Sequence, residues 1–151
     1  MIMINLLIMP QNRFDDRCVC QTNDSNISFR ENGRSIVFRN PRRDEYYKVR
    51  IDGCVITEGE RCDDFLYGKE DPYDRYVELK GSDIPHAINQ LRSSIIWVKR
   101  HCNVGKAIKA YIISKNVAPG YNTKLQAAKK EFNNMGAELI QKERRLETDL
   151  Y

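Results

Sequence analysis

The stretch Y-V-E-L-K-G-S-D at residues 76–83 decides the fold expected of this 151-residue chain. Side chains alternate between the two faces of a strand, so Glu78 and Lys80 point the same way. Val77 and Leu79 point the other way, which predicts a short strand packed by one face on an apolar core. The opposite face then presents a carboxylate beside an ammonium group.

Directly after this strand, the spacing of the apolar residues changes to that of a helix. Apolar residues recur at helical intervals from Ile84 to Val98, which predicts a helix that runs to about Cys102. We expect Ser82 to be its N-cap, with Asp83 favourable in the first turn. Downstream, the patterns predict a buried strand at 106–114, a helix from Asn122 or Thr123 to about 134–136, and a last strand at 137–141.

Upstream, the pattern is that of short strands. Alternation at 46–51, the turn signal Asp52-Gly53 and the apolar run 54–56 predict a hairpin, and residues 65–67 predict another strand. Residues 10–35 are polar and rich in Asn and Asp, which favours turns, so that 1–35 would form a peripheral arm.

Antiparallel strands followed by helix, strand, helix and strand predict an α/β fold with a mixed central sheet flanked by helices. The strand at 106–114 is expected to return parallel to one of the central strands. A chain of 151 residues with 41% apolar content suits a single domain with its own core, so we assign residues 1–151 to one domain.

The apolar opening, Met1 to Met9, predicts a first strand or short helix on the core. Nine residues are too few to span a bilayer, and no other stretch could do so. The opening also lacks a basic start and a small-residue cleavage site, which argues against a signal peptide. The default expectation is a cytoplasmic protein with no membrane contact.

Charge is unevenly distributed along the chain. The net charge is +4 with a pI near 8.8, basic residues crowd the first third, and acidic residues concentrate between Asp44 and Asp83. A basic surface around an acidic centre suits a polyanionic substrate, although solvated surface charge would give the same composition.

The five cysteines do not have the spacing of a disulfide scaffold. Cys54 and Cys62 stand in apolar surroundings, where free cysteine behaves as a small buried hydrophobe. Cys18-Val19-Cys20 together with His101-Cys102 has the residue types of a zinc site or a redox protein, but no second Cys-x-x-Cys or His pair supports either.

An acidic pair, Asp63-Asp64, precedes the apolar run at 65–67. If adjacent strands bring one of these carboxylates to Glu78 and Lys80, the group could hold a divalent metal and activate water. That is the chemistry of phosphodiester cleavage. The competing interpretation is that the aspartates cap a turn and that Glu78 and Lys80 form a surface ion pair.

Three segments together resemble the PD-(D/E)xK nuclease superfamily. They are C-D-D-F-L at 62–66, V-E-L-K-G-S-D-I at 77–84 and H-A-I-N-Q-L at 86–91. The resemblance covers about residues 46–115 and implies a restriction-endonuclease-like core. It also implies an Mg²⁺- or Mn²⁺-dependent endonuclease that hydrolyses DNA.

The resemblance assigns a role to each residue of the motif. Asp63 or Asp64 and Glu78 would bind Mg²⁺ or Mn²⁺, and the backbone carbonyl of Leu79 would complete the site. Lys80 would orient or deprotonate the attacking water. Gln90, on the helix that leaves the site, would position the lysine or the phosphate, so that Asp63, Glu78, Lys80 and Gln90 form the catalytic set.

Several points stay open at the level of sequence. Alternation allows only one of the two aspartates to face Glu78, and we prefer Asp63. Relatives in this superfamily often carry a glutamate on their first helix. The candidates for it are Glu31, Glu45 and Asp52, and none stands on a convincing helix.

Because no candidate for the first-helix glutamate stands on a convincing helix, an alternative function stays open. It is a catalytically inactive nuclease-fold module that binds nucleic acid or a protein partner. If the site is active, a homodimer would allow both strands of a duplex to be cut, because one site cleaves one strand at a time.

Overall fold

The computed structural model describes residues 13–102 and 105–151, which form nine strands and two α-helices. In chain order these are β1 (Val19–Thr22), β2 (Asn26–Glu31), β3 (Arg34–Arg39), β4 (Tyr46–Arg50), β5 (Asp64–Gly68), β6 (Tyr73–Lys80), α1 (Ile84–His101), β7 (Ala107–Ser114), α2 (Asn122–Asn134), β8 (Ala137–Glu143) and β9 (Arg145–Asp149). The predicted opening element at residues 1–9 lies outside the described residues.

A six-stranded mixed sheet has the strand order β1-β4-β5-β6-β7-β8. The pairs β1–β4, β4–β5 and β5–β6 are antiparallel, whereas the pairs β6–β7 and β7–β8 are parallel. Parallel neighbours need a crossover connection, and α1 and α2 supply the two crossovers. The predicted mixed α/β fold and the predicted parallel return of the strand at 106–114 are both confirmed.

The junction between β6 and α1 differs in one detail from its prediction. Asp83, rather than Ser82, is the N-cap of α1, and its carboxylate accepts a hydrogen bond of 3.1 Å from the His86 amide. An aspartate at this position satisfies an unpaired amide and places negative charge at the positive end of the helix dipole. The helix therefore begins one residue later than a Ser82 cap would require and ends, as predicted, beside Cys102.

Both helices pack on the same face of the six-stranded sheet. The buried face of α1 contributes Leu91, Ile95 and Val98 to a core that also contains Phe132 from α2 and Tyr76 from β6. The prediction of a sheet flanked by helices is therefore wrong for one of its two faces, since no described helix lies there. A second sheet of three strands, ordered β2-β3-β9, covers that face instead.

The second sheet is formed by a hairpin within residues 26–39 and by the charged tail of the chain. Residues 26–31 and 34–39 form a hairpin around Asn32 and Gly33, both with positive φ, as a two-residue turn requires. The charged tail forms β9, which pairs in parallel with β3. The polar stretch at 10–35 thus contains two strands where turns or an arm were predicted, and the strand at 137–141 is not the last one.

The predicted hairpin between 46–51 and 54–56 is also wrong. The segment after β4 folds back on itself, since the amides of Cys54 and Ile56 both donate to the Ile51 carbonyl. The antiparallel partner of β4 is β5 instead. Because this tight turn ends the ladder after Arg50, residues 54–56 do not form a strand.

A disulfide joins Cys18 to Cys54 and ties the turn after β4 to the start of β1. Cys54 is therefore not the free buried cysteine that its surroundings suggested, whereas Cys62 is free and buried as predicted. The bond also removes Cys18 from the zinc set considered above.

No helix within residues 13–102 or 105–151 is long and apolar enough to cross a membrane.

Removing the disulfide should destabilise the fold without changing its topology. The bond closes a sequence separation of 36 residues, for which loop-closure entropy predicts a stabilisation of roughly 3–4 kcal/mol. Urea unfolding of Cys54→Ser should therefore show a loss of that order relative to wild type. The exposed free cysteine in Cys20→Ser provides the control, and equal losses in the two variants would contradict the assignment.

Candidate metal centre

Strand β6 carries Glu78 and Lys80 on its helix-facing side. Tyr76, on the same side, packs in the core beneath the helices, while Val77 and Leu79 pack against the second sheet. The alternation predicted from the sequence is therefore present. Its consequence is that Glu78 is a buried carboxylate, only 2% exposed, on the inner side of a central strand.

Asp63 reaches this strand at the point where its neighbour stops. Strand β5 pairs with β6 only as far as the Asp64–Val77 register position. Beyond it, the Leu79 amide has no β5 backbone partner and donates instead to the Asp63 carboxylate, Oδ2, at 2.8 Å. The Asp63 side chain thus takes the place of a strand partner and is fixed beside residues 78–80.

Helix α1 holds the segment that carries Asp63. The Gln90 side-chain amide, Nε2, donates to the Arg61 carbonyl at 3.1 Å, and the Cys62 amide donates to Ser94 Oγ at 2.7 Å. The helix that directly follows β6 therefore anchors the two residues before Asp63. Gln90 acts here on the loop that bears the aspartate.

Asp64 points to the opposite face of the sheet. It stands opposite Arg50 in the β4–β5 ladder, and its side chain lines a groove against the second sheet together with Lys48 and Arg50. The geometry therefore favours Asp63 over Asp64 as the partner of Glu78. Asp63 is also the residue preferred from the sequence, which left both aspartates open.

Burial and like charge raise the pKa values of both carboxyl groups. Desolvation, followed by the charge of Asp63, raises the pKa of Glu78 from 4.5 to about 9. Desolvation also raises the pKa of Asp63 to about 6, against a hydrogen bond from Leu79 that lowers it. A nearby positive charge would stabilise the ionised form of both buried carboxyl groups, and a bound cation would supply that charge.

Lys80 lies close enough to affect both carboxyl groups. Its ammonium charge lowers the pKa of Asp63 and that of Glu78. It is half-buried at the end of β6, opposite Ser114 of β7. The structure therefore brings Asp63, Glu78 and Lys80 into one electrostatic cluster, which we call the reactive cluster.

Two buried oxygens in this region receive no hydrogen bond from any residue that the structure describes. They are Oε1 of Glu78 and Oε1 of Gln90. A buried acceptor without a donor costs free energy, and carboxylate and amide oxygens are the ligands that hard cations prefer. These oxygens could therefore contribute to binding Mg²⁺ or Mn²⁺. Among the described residues, however, no group of three or more His, Cys, Asp or Glu side chains is placed to bind a metal.

The candidates for an additional glutamate occupy different places. The charge of Glu31, at the tip of the β2–β3 hairpin, acts to raise the pKa of Asp63 and that of Glu78. Glu45 accepts a hydrogen bond of 2.7 Å from Tyr47, at the other end of β4. Asp52 lies beside Asp63, since its amide donates to the Asp63 carbonyl at 3.2 Å, while its carboxylate is paired with Arg61 at 2.7 Å. The signal that could have located Glu31 is the turn Asn32-Gly33.

The zinc set considered from the sequence is not assembled. Besides the loss of Cys18 to the disulfide, His101 Nδ1 is hydrogen-bonded to the Trp97 carbonyl at 2.8 Å, and its ring stacks on Trp97. Cys102 Sγ donates to the Arg13 carbonyl at 3.4 Å. Cys18, His101 and Cys102 therefore each contact a different partner instead of one shared site.

Comparison of the chain with protein-family models, with curated proteins and with solved structures found no match. The candidate site is consequently defined by its own geometry and chemistry.

The buried carboxyl groups predict a stability that falls as pH rises. Because the folded protein holds the pKa of Glu78 at about 9 against an ordinary 4.5, the native state keeps a proton that the unfolded chain releases. The stabilising contribution of the protonated Glu78 side chain is therefore complete below about pH 4.5, and it is lost as the pH rises through about 9. Glu78→Gln should remove this dependence, so in EDTA its melting temperature should exceed that of wild type increasingly from pH 5 to 9.

The matched control for this measurement is Glu138→Gln, an exposed glutamate on β8. It should follow the wild-type curve at every pH. Parallel curves for Glu78→Gln and wild type would mean that Glu78 titrates normally and is not held in a desolvated cluster.

Proposed function

We propose that this protein is a metal-dependent nuclease that hydrolyses phosphodiester bonds of DNA with Mg²⁺ or Mn²⁺. The observation that carries the proposal is the buried Glu78 carboxyl group. One of its oxygens receives no hydrogen bond from any described residue, and the charges of Asp63 and Lys80 both act on its pKa. A buried acidic pair with an adjacent lysine has a clear chemical use, whereas as a structural feature it only destabilises the fold.

Asp63 and Glu78 would hold the cation, together with the backbone carbonyl of Leu79. Because the Asp63 carboxylate already accepts the Leu79 amide, it is oriented before any ligand arrives. When bound, the cation would act as a Lewis acid on the phosphate and lower the pKa of a water molecule.

Lys80 is the positive group that the chain itself supplies. Its ammonium group lies beside the two carboxylates, where it would orient the attacking water and stabilise the negative charge that develops on the phosphate oxygens. Water adds to phosphorus and one P–O ester bond breaks, which yields a phosphomonoester and an alcohol. Gln90 is a positioning residue, because its contact is with the Arg61 carbonyl beside the Cys62-Asp63 segment.

A second candidate function is a catalytically inactive module that binds nucleic acid on the same fold. It is favoured by the absence, among residues 13–102 and 105–151, of a third ligating side chain grouped with Asp63 and Glu78. The two candidates differ in metal-dependent cleavage, which only the nuclease would show.

Loss of either charged residue of β6 should abolish cleavage. Plasmid and single-stranded DNA incubated with the protein and Mg²⁺ or Mn²⁺ should be cut, and cleavage should stop on addition of EDTA. Glu78→Ala and Lys80→Ala should each lower the rate at least about 100-fold, since one removes a metal ligand and the other removes charge stabilisation. Equal activity in wild type and both variants would refute the proposal.

The adjacent aspartates offer a matched pair of substitutions. Asp63→Asn should lower the cleavage rate by roughly 100-fold or more, because it weakens the cation site. Asp64→Asn changes the same charge one residue away on the opposite face and should retain the metal dependence of wild type. If Asp64→Asn loses metal dependence and Asp63→Asn keeps it, the assignment of Asp63 is wrong.

A further inference from the structure

The segment that follows β4, residues 51–56, is closed by hydrogen bonds of its own backbone. The amides of Cys54 and Ile56 donate to the Ile51 carbonyl at 3.3 and 3.0 Å, and the Gly53 amide donates to the Ile56 carbonyl at 3.1 Å. Gly53 has a φ of 74°, which residues with a side chain rarely adopt. These bonds make the segment a compact unit, which we call the β4 turn.

The β4 turn holds the backbone of Asp63. The amides of Ile51 and Asp52 both donate to the Asp63 carbonyl, at 3.0 and 3.2 Å. The side chain of the same aspartate accepts the Leu79 amide at 2.8 Å. Asp63 is therefore fixed at two points, by the β4 turn through its carbonyl and by β6 through its carboxylate.

Side-chain contacts join the β4 turn to the rest of the protein. Ile51 and Ile56 pack in the core beneath the helices. Asp52 is paired with Arg61 at 2.7 Å, but the aspartate side chain is half exposed, and ion pairs at such positions stabilise a fold only slightly. The remaining contact is covalent, since the disulfide joins Cys54 to Cys18.

The disulfide connects the β4 turn to the margin of the six-stranded sheet. Cys18 is buried directly before β1, and β1 is an edge strand of four residues. Cys54 is only half-buried, so a thiol in solution has access to the bond from the side of the β4 turn. A change in the state of this bond therefore acts on the segment that holds Asp63.

We infer that the Cys18–Cys54 disulfide is a redox-sensitive element that positions Asp63 in the candidate metal site. While the bond is intact, the β4 turn keeps the Asp63 backbone in place and the carboxylate stays on the Leu79 amide. Once it is reduced, the turn moves more freely and that hydrogen bond weakens. The consequence for metal binding rests on the nuclease function proposed above, since it adds regulation to that same site.

The reductant is a dithiol or a pair of monothiols. A thiolate of the reductant attacks the Cys54 sulfur, the S–S bond breaks, and Cys18 leaves as a thiolate that takes up a proton. The second thiol of the reductant then releases Cys54 from the mixed disulfide. Two electrons and two protons thus pass to the protein, and the reductant becomes a disulfide.

The first test follows the folded protein by nuclear magnetic resonance, without any metal. The chemical shift of the Leu79 amide proton reports its hydrogen bond to Asp63, and Phe132 in α2 serves as the internal reference. The protein carries Cys20→Ser, which removes the exposed free thiol and prevents alternative pairing. Dithiothreitol should shift the amide signals of Leu79 and Ile51 and leave that of Phe132 in place, and reoxidation should restore them.

The second test measures metal binding with no thiol reagent present. Calorimetric titration with Mn²⁺ compares Cys20→Ser with Cys18→Ser/Cys20→Ser/Cys54→Ser. Loss of a group that holds a metal ligand in place typically weakens metal binding by roughly 10–100-fold, so the triple variant should bind at least about tenfold more weakly. The matched control adds Leu150→Ala to Cys20→Ser, which destabilises the core beside the second sheet but keeps the disulfide. It should bind Mn²⁺ as Cys20→Ser does.

Three results would overturn the inference. The first is that the Leu79 and Ile51 signals stay in place after reduction. The second is complete unfolding on reduction, because the bond would then hold the whole fold rather than the β4 turn. The third is an equal loss of Mn²⁺ affinity in the triple variant and in the Leu150→Ala control, which would be an effect of stability alone.

The outcome is separable from that of the proposed function. If reduction shifts the Leu79 and Ile51 signals but the oxidised protein neither binds Mn²⁺ nor cleaves DNA, the nuclease proposal fails and the disulfide still positions Asp63. If the protein binds Mn²⁺ and cleaves DNA equally well with and without the disulfide, the nuclease stands and the redox control of its site fails.

Discussion

The hydrogen bond from the Leu79 amide to the Asp63 carboxylate determines how the candidate site is built. It forms because β5 stops pairing with β6 at Asp64, which leaves the end of β6 without a partner on that side. The aspartate fills that place, and α1 holds the two preceding residues through Gln90 and Ser94. The end of β6, the segment 61–63 and helix α1 are thus joined to one another by hydrogen bonds.

This arrangement leaves the protein with an electrostatic cost. Desolvation and the charge of Asp63 raise the pKa of Glu78 to about 9, although the ammonium charge of Lys80 acts to lower it, and one Glu78 oxygen receives no hydrogen bond from any described residue. Buried carboxyl groups normally lower stability unless they are paired or bind a cation. The two sheets make this burial possible, because the second sheet covers Val77 and Leu79 while the helices cover the side that carries Glu78.

The sequence predicted an element correctly where a single pattern of apolar residues runs through the whole element. Alternation in β6, the helical spacing of α1 and the apolar run of β7 each predicted the observed element, and alternation alone limited the partner of Glu78 to one of two aspartates. The second sheet was missed because β9 is charged and buries little, so its pairing with β3 depends on a tertiary contact. The disulfide was missed for the same reason, since Cys18 and Cys54 are 36 residues apart and meet only after β1 pairs with β4.

The most direct test of the central claim is a crystal structure of the protein soaked in Mn²⁺, with the metal located by its anomalous scattering. The proposed site predicts one Mn²⁺ bound by the carboxylates of Asp63 and Glu78, with the Leu79 carbonyl as a further ligand and Asp64 turned away. Manganese bound by Asp64 instead of Asp63 would contradict this account, and so would a Glu78 carboxylate without metal at saturating Mn²⁺.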